Sequence, residues 1–227
     1  MKSKFSSLAA VASMVGIALA AGQAQAQSAG TFTARIGGGT IMPNVESGTL
    51  SAPSLANTRV DINKASQVVG GITYMVTDNF SIDLPIGLAF KHEIVGDGAI
   101  NGVGRLATVK ALPITLIGQY RFGAATDKVR PYVGIGAVYA KYSDSKGTTA
   151  LNALTGGTPS NPTVMNMDNK AGALAQLGVS IKVMNQWSVD LAVNKIALKS
   201  TGHLSTGQSI DVKLNPTAIF AAVGYTF

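Results

Sequence analysis

Residues 215–227 (NPTAIFAAVGYTF) carry no charge and alternate without a break. Thr217, Ile219, Ala221, Val223, Tyr225 and Phe227 fall on one face; Pro216, Ala218, Phe220, Ala222, Gly224 and Thr226 fall on the other. A period of two is the signature of a β-strand. A naked apolar strand at an open sheet edge invites aggregation. Pairing this strand with the first one, in a closed membrane barrel, removes the edge. The competing reading is the last strand of a sandwich.

The rest of the chain favours the barrel. Residues 80–91 (FSIDLPIGLAFK) place Phe80, Ile82, Leu84, Ile86, Leu88 and Phe90 on one face and Ser81, Asp83, Pro85, Gly87, Ala89 and Lys91 on the other. A spanning strand needs roughly ten residues, so this face is long enough for hydrocarbon. Comparable segments lie at 31–42, 66–76, 105–122, 129–142, 171–183, 187–198 and 209–227, an even count of eight with residues 80–91. Gly37, Gly38 and Gly39 lack the following Lys-Ser/Thr of a phosphate loop; glycine at a bend or close approach is the better reading. Long and short connections alternate along the chain, as in outer-membrane barrels. The predicted fold class is therefore all-β: an eight-stranded antiparallel transmembrane β-barrel with short periplasmic turns and long extracellular loops. Phe80, Tyr120, Phe122, Tyr132, Trp187, Tyr225 and Phe227 are expected as a periplasmic aromatic girdle, with Phe90, Tyr139 and Tyr142 in the outer one.

The amino terminus sets the compartment. Lys2 and Lys4 precede an apolar run from Leu8 to Ala21, and Ala24-Gln25-Ala26 has the small-x-small pattern of a signal-peptidase site. Residues 1–26 are thus expected to be a signal peptide and residues 27–227 the barrel. Removing Lys2 and Lys4 lowers the formal charge from +7 to +5. That mild basicity suits anionic head groups, while no basic-aromatic cluster points to nucleic acid. There are no cysteines, which excludes disulfides and thiol chemistry. No later stretch is apolar and long enough for a spanning helix, so a membrane location requires a barrel. A soluble lipocalin-like barrel would turn its apolar faces inward.

Strand parity predicts the contents of the bore. Arg35, Asp83, Gln119, Arg121, Lys182 and Asp190 point inward in the periplasmic half. Pro85, Ala89, Leu174, Ile196, Leu198, Leu214 and Phe220 point inward in the outer half. Eight strands leave an interior that side chains just fill. The charged set is expected to pair as a polar plug, because an unpaired buried charge is costly. The apolar set is expected to form a pocket from which a solute leaves sideways into the bilayer. Simple lumen filling is the alternative. Lys91, Lys110, Lys141, Lys195 and Lys199 gather near the outer strand ends, at the height of lipopolysaccharide phosphates; solvated loop-base lysines are the alternative.

Enzyme chemistry has little support. His92 and His203 are the only histidines, with Glu93 and Ser205 close in sequence, but spacing alone makes no triad. No His/Asp cluster has ligand spacing and no EF-hand pattern occurs, so neither metal nor cofactor is expected.

Four blocks carry a resemblance. ITYMVTDNFSIDLPIGLAFKHEI (72–94), ALPITLIGQYRF (111–122), VRPYVGIGAVYAKY (129–142) and LNPTAIFAAVGYTF (214–227) resemble the OmpW family of outer membrane proteins. The resemblance implies an eight-stranded barrel in the bacterial outer membrane and passage of small hydrophobic molecules through a narrow, largely apolar channel. It also implies that Tyr225 and Phe227 form the carboxy-terminal aromatic signal read by the barrel assembly machinery. The loops depart from the family; they are rich in Ser, Thr and Gly, with few large apolar residues, so no gating residue is carried over. A structural or adhesive barrel whose loops bind a surface is the second reading, and a lipid-modifying barrel enzyme a distant third.

Overall fold

The computed structural model describes residues 27–227. The expected signal peptide, residues 1–26, lies outside the described residues. Strand β1 (Phe32–Met42) pairs antiparallel with β4 (Ala65–Met75) on one side and with β14 (Thr217–Thr226) on the other. From β4 the ladder runs through β5 (Phe80–Gly87) to β7 (Arg105–Arg121) and β8 (Val129–Gly147). From β14 it runs through β11 (Trp187–Ala197) to β10 (Lys170–Met184), which also meets β8. The sheet therefore closes on itself. β6 (Phe90–Gly98) continues the stave begun by β5, giving eight staves.

The wall is turned inside out relative to a soluble barrel. Ile36, Ile86, Leu116, Ile135, Leu177 and Val193 are exposed on its outer face, whereas Thr73, Asp83, Gln119, Arg121 and Asp190 are buried inside. Phe32 stacks near Tyr74 at 4.6 Å, Phe80 near Tyr120 at 5.1 Å, and Trp187 near Tyr225 at 5.0 Å, all at the end of the short turns. These rings mark the periplasmic interface, where aromatic belts form. Tyr225 and Phe227 belong to this girdle, with ring centroids 4.8 Å apart. The glycine run on β1 is a close approach: a Cβ on Gly37 would stand 2.0 Å from the Ala221 carbonyl oxygen.

At the other end the staves outrun the membrane and build a roof. β2 (Glu46–Ser47), β9 (Met165–Met167), β12 (Lys199–Leu204) and β13 (Ser209–Lys213) form a second sheet. β3 (Thr58–Ile62) adds to β6, and helix α1 (Thr149–Thr155) follows β8. The helix is capped by the Thr148 hydroxyl, which accepts from Leu151 N–H. The loops thus differ from their sequence reading. Residues 92–98, read as loop, continue a strand, and the predicted last strand breaks at 214–216 into β13 and β14. The expectation of few large apolar loop residues also fails. Leu50, Ile94, Ile100, Leu151, Met165, Met167 and Leu204, all from segments read as loops, are buried together in one apolar cluster with Leu106, Ile210 and Val212 from the adjoining strand ends. Their signal is faint in the sequence because each comes from a short segment.

Three aromatic assignments are corrected. Tyr132 is not in the periplasmic girdle but buried in the bore, as the outward parity of Val133 and Ile135 requires. Phe90 is not in the outer girdle. The ladder breaks at residues 88–89 between β5 and β6, and the parity flips, so Phe90 turns inward. Tyr142 also faces inward, against Pro43, Val109 and Met167.

Candidate functional site

The floor of the bore is a charged knot centred on Arg35. Its register neighbours are Gly71 and Gly224, which leave room for the guanidinium. Arg35 Nη2 donates to Asp83 Oδ1, and Nη1 donates to Asp190 Oδ1 at 2.9 Å. Thr73 Oγ1 also donates to Asp83 Oδ1, at 2.7 Å, and Tyr132 Oη donates to Asp190 Oδ1 at 2.8 Å. The Tyr132 ring fits because position 178 is glycine: a Cβ there would lie 2.2 Å from the phenol carbon. A second layer lies beneath. Arg121 stands over the Tyr132 ring at 4.7 Å and donates to Gln119 Oε1 at 2.8 Å and Ser81 Oγ at 3.2 Å. Gln119 Nε2 donates to Gln176 Oε1 at 2.7 Å.

The mouth below is filled by the chain's own Gln27. Its Oε1 accepts from Arg121 and its carbonyl from Arg130, while its Nε2 donates to Ser180 Oγ. Arg35, Asp83, Gln119, Arg121 and Asp190 are therefore brought into one network. Lys182 is not: it lines the periplasmic mouth beside Ser188, next to a register shift in β10. Tyr132, Thr73, Gln176, Arg130 and Gln27 complete the network and were not in the polar set predicted from sequence. Inward parity was the available signal for Tyr132 and Gln176.

Above the floor the bore is apolar. A lower cavity is walled by Pro85, Leu174, Ala192, Ala218 and Phe220, with Asp83, Asp190 and Asn194 at its polar end. An upper cavity is walled by Ile62, Val109, Leu198, Leu214 and Tyr142. Ile41, Pro113 and Ile196 line both, so the two are contiguous. A third hollow lies under the roof between Leu50, Ile100, Leu106, Leu151 and Ile210. Of the predicted outer lumen set, Ala89 lines none of these hollows. It sits in the break between β5 and β6, its carbonyl accepting from Gln67 Nε2 at 3.3 Å. His92 is buried in the upper cavity wall, with Nδ1 2.9 Å from the Asn63 carbonyl oxygen. Burial holds its imidazole below the ordinary pKa.

The lower cavity reaches a break in the wall. β5 pairs with β7 from Phe80↔Tyr120 to Asp83↔Ile117, and β6 resumes only at Phe90↔Ala111. The segments 84–89 and 112–116 between them are not laddered to each other. Pro85 and Pro113, which lack N–H groups, face this seam and line the cavity. Ile86, whose side chain is exposed on the lipid side, lines it too, so the cavity abuts this stretch of the wall.

The histidines stand apart from each other and form no triad with Glu93 or Ser205. His203 Nε2 is 3.5 Å from Asp168, Glu93 pairs with Arg105 at 2.8 Å, and Ser205 Oγ accepts from Val164 N–H. Among the described residues, no group of three or more His, Cys, Asp or Glu is placed to hold a metal ion.

A closed antiparallel barrel with an apolar exterior, a periplasmic aromatic girdle and a polar core defines an outer-membrane β-barrel protein. Solved structures share this fold. The crystal structure of OprG from Pseudomonas aeruginosa superposes with a TM-score of 0.80 at 23% identity, covering 89% of this chain and 98% of that one. The solid-state NMR structure of AlkL in DMPC bilayers gives a TM-score of 0.65 at 19% identity, covering 91% and 94%. Outer membrane protein W of Salmonella typhi is 31% identical over 221 residues, covering 96% of this chain and 98% of its own. The OmpW family model matches residues 28–227, and the chain belongs to that family. It is a protein of the bacterial outer membrane.

Proposed function

We propose that the protein passes small hydrophobic molecules into the outer membrane. A solute enters the apolar hollow under the roof, descends to the lower cavity and leaves through the seam between β5 and β7. The carrying observation is the coincidence of that seam with the cavity. Backbone groups without ladder partners are costly at membrane depth and are tolerated where they line a cavity. The Arg35–Asp83–Asp190 knot and the Gln27 cork lie across the straight route to the periplasm, which favours sideways exit. The family resemblance points to the same solute class.

The test is uptake by vesicles containing the protein. Apolar reporters should enter faster than matched polar ones, with no ion conductance in planar bilayers. Asp83→Ala and Arg121→Ala should raise ion leakage. Large, ion-selective conductance in the unaltered protein would refute the plug.

The outer rim also fits a phosphorylated lipid surface. Lys91 and Lys110 are directly opposite on β6 and β7, and Lys141 on β8 opposes Leu112, so three lysines cross three strands where the apolar face ends. Like charges in opposite positions repel. Lys110 is paired with Asp144 at 2.7 Å, and Lys91 and Lys141 remain for lipopolysaccharide phosphates.

A further inference from the structure

The polar end of the lower cavity carries unanswered hydrogen-bonding groups. Asp83 Oδ2 and Asn194 Oδ1 have no partner, although both side chains are buried, Asp83 to 1% exposure and Asn194 to 3%. Both atoms accept hydrogen bonds. Both residues line the cavity, whose remaining wall is largely Pro85, Phe90, Ile196 and Phe220. Nearby donors are spent elsewhere: Arg35 Nη1 on Asp190, Arg35 Nη2 and Thr73 Oγ1 on Asp83 Oδ1, and Tyr132 Oη on Asp190. One donor, Arg35 Nε, is also unpartnered. A buried polar atom left unpaired is costly, and a ligand that pairs it recovers that cost.

From this we infer that the cavity selects solutes with an apolar body and a terminal hydroxyl over hydrocarbons and ethers of the same size. A hydroxyl donates to an orphaned acceptor and can accept from a donor such as Arg35 Nε; an ether oxygen only accepts, and an alkane does neither. The apolar body lies along Phe90, Ile196 and Phe220, and the hydroxyl points down to Asp83 and Asn194. This inference rests on the reading of the cavity as a solute site. Specificity of this kind arises because a site built to bond a hydroxyl rejects the analogue that leaves its buried groups unpaired.

The test compares 1-hexanol with methyl pentyl ether, which have the same atoms and differ in the donor. The full barrel, isotopically labelled in lipid nanodiscs, is titrated with each, and the methyl signals of Ala192 and Ala218 report cavity occupancy. Hexanol should half-saturate those shifts at about fivefold lower concentration, the range of one net hydrogen bond. It should also move the Asn194 side-chain amide signal, which the ether leaves in place. Asn194→Leu should reduce the preference while both ligands still enter. Equal half-saturation by the two ligands in the unaltered protein would overturn the inference and leave cavity entry standing. If neither ligand moves the methyl signals, the cavity reading falls and this inference with it.

Discussion

Replacing Arg35 by methionine removes the one guanidinium that bridges Asp83 and Asp190. Both carboxylates are buried, and the other side chains that donate to them are the neutral hydroxyls of Thr73 and Tyr132. Breaking a buried ion pair by deleting one partner costs about 3–5 kcal/mol, because an uncompensated charge remains. Two carboxylates share this guanidinium, so the upper end of that range is expected. Arg35→Lys keeps the charge but loses the fork, since a single ammonium is a point charge on a flexible stem. Its cost should be about half as large. The assay is urea unfolding of the barrel in lipid vesicles, with the stability read from the midpoint and an unchanged slope. A loss below about 1 kcal/mol for Arg35→Met would refute the view that the knot is a tightly coupled buried network.

Other perturbations follow from the same geometry. Gly178→Ala should cost about 1–3 kcal/mol by overpacking against the Tyr132 ring, measured by the same unfolding assay, and Tyr132→Phe should relieve little of it, because the ring remains. His92 has a lowered folded-state pKa, so its contribution is intact above the ordinary imidazole value of 6.5 and is lost as pH falls below it towards the folded value. Solute occupancy of the upper cavity should therefore weaken as pH falls below 6.5, and His92→Phe should remove that dependence. Lys91→Gln with Lys141→Gln, which spares the Lys110–Asp144 pair, should lower retention of phosphorylated glycolipid in native mass spectrometry by about thirtyfold, since each lysine near an anionic surface is worth roughly 1 kcal/mol. Equal retention of the dephosphorylated lipid would argue against phosphate recognition.

The barrel was legible because one face of each stave had to meet hydrocarbon. Strict alternation in residues 80–88 fixed Asp83 as inward, and the same parity fixed Gln119 on β7 and Asp190 on β11. The hidden parts are those where parity is interrupted or where partners come from distant strands. Phe90 could not be placed from its own segment, because the break at residues 88–89 flips it. Tyr132 was placed by its aromatic type when its parity pointed inward. The pairing of Arg35 with both Asp83 and Asp190 depends on barrel closure, which brings β1 beside β14 and faces β5 with β11 across the bore. Lys182 has the right parity but the wrong height. The seam is written in sequence only as two prolines, and its meaning requires the register that leaves Pro85 and Pro113 on opposite edges of the unladdered stretch.

Sideways exit is tested most directly at that seam. Pro85→Val with Pro113→Val restores two backbone donors and lets the edges of β5 and β7 zip together. The measurement is the initial rate of uptake of an apolar fluorescent reporter by vesicles holding equal amounts of folded barrel. Exit through the seam predicts a fall to the rate of protein-free vesicles, with ion impermeability unchanged. Uptake equal to that of the unaltered protein, in a variant shown to have closed the ladder by slowed amide exchange at residues 84–89 and 112–116, would contradict it.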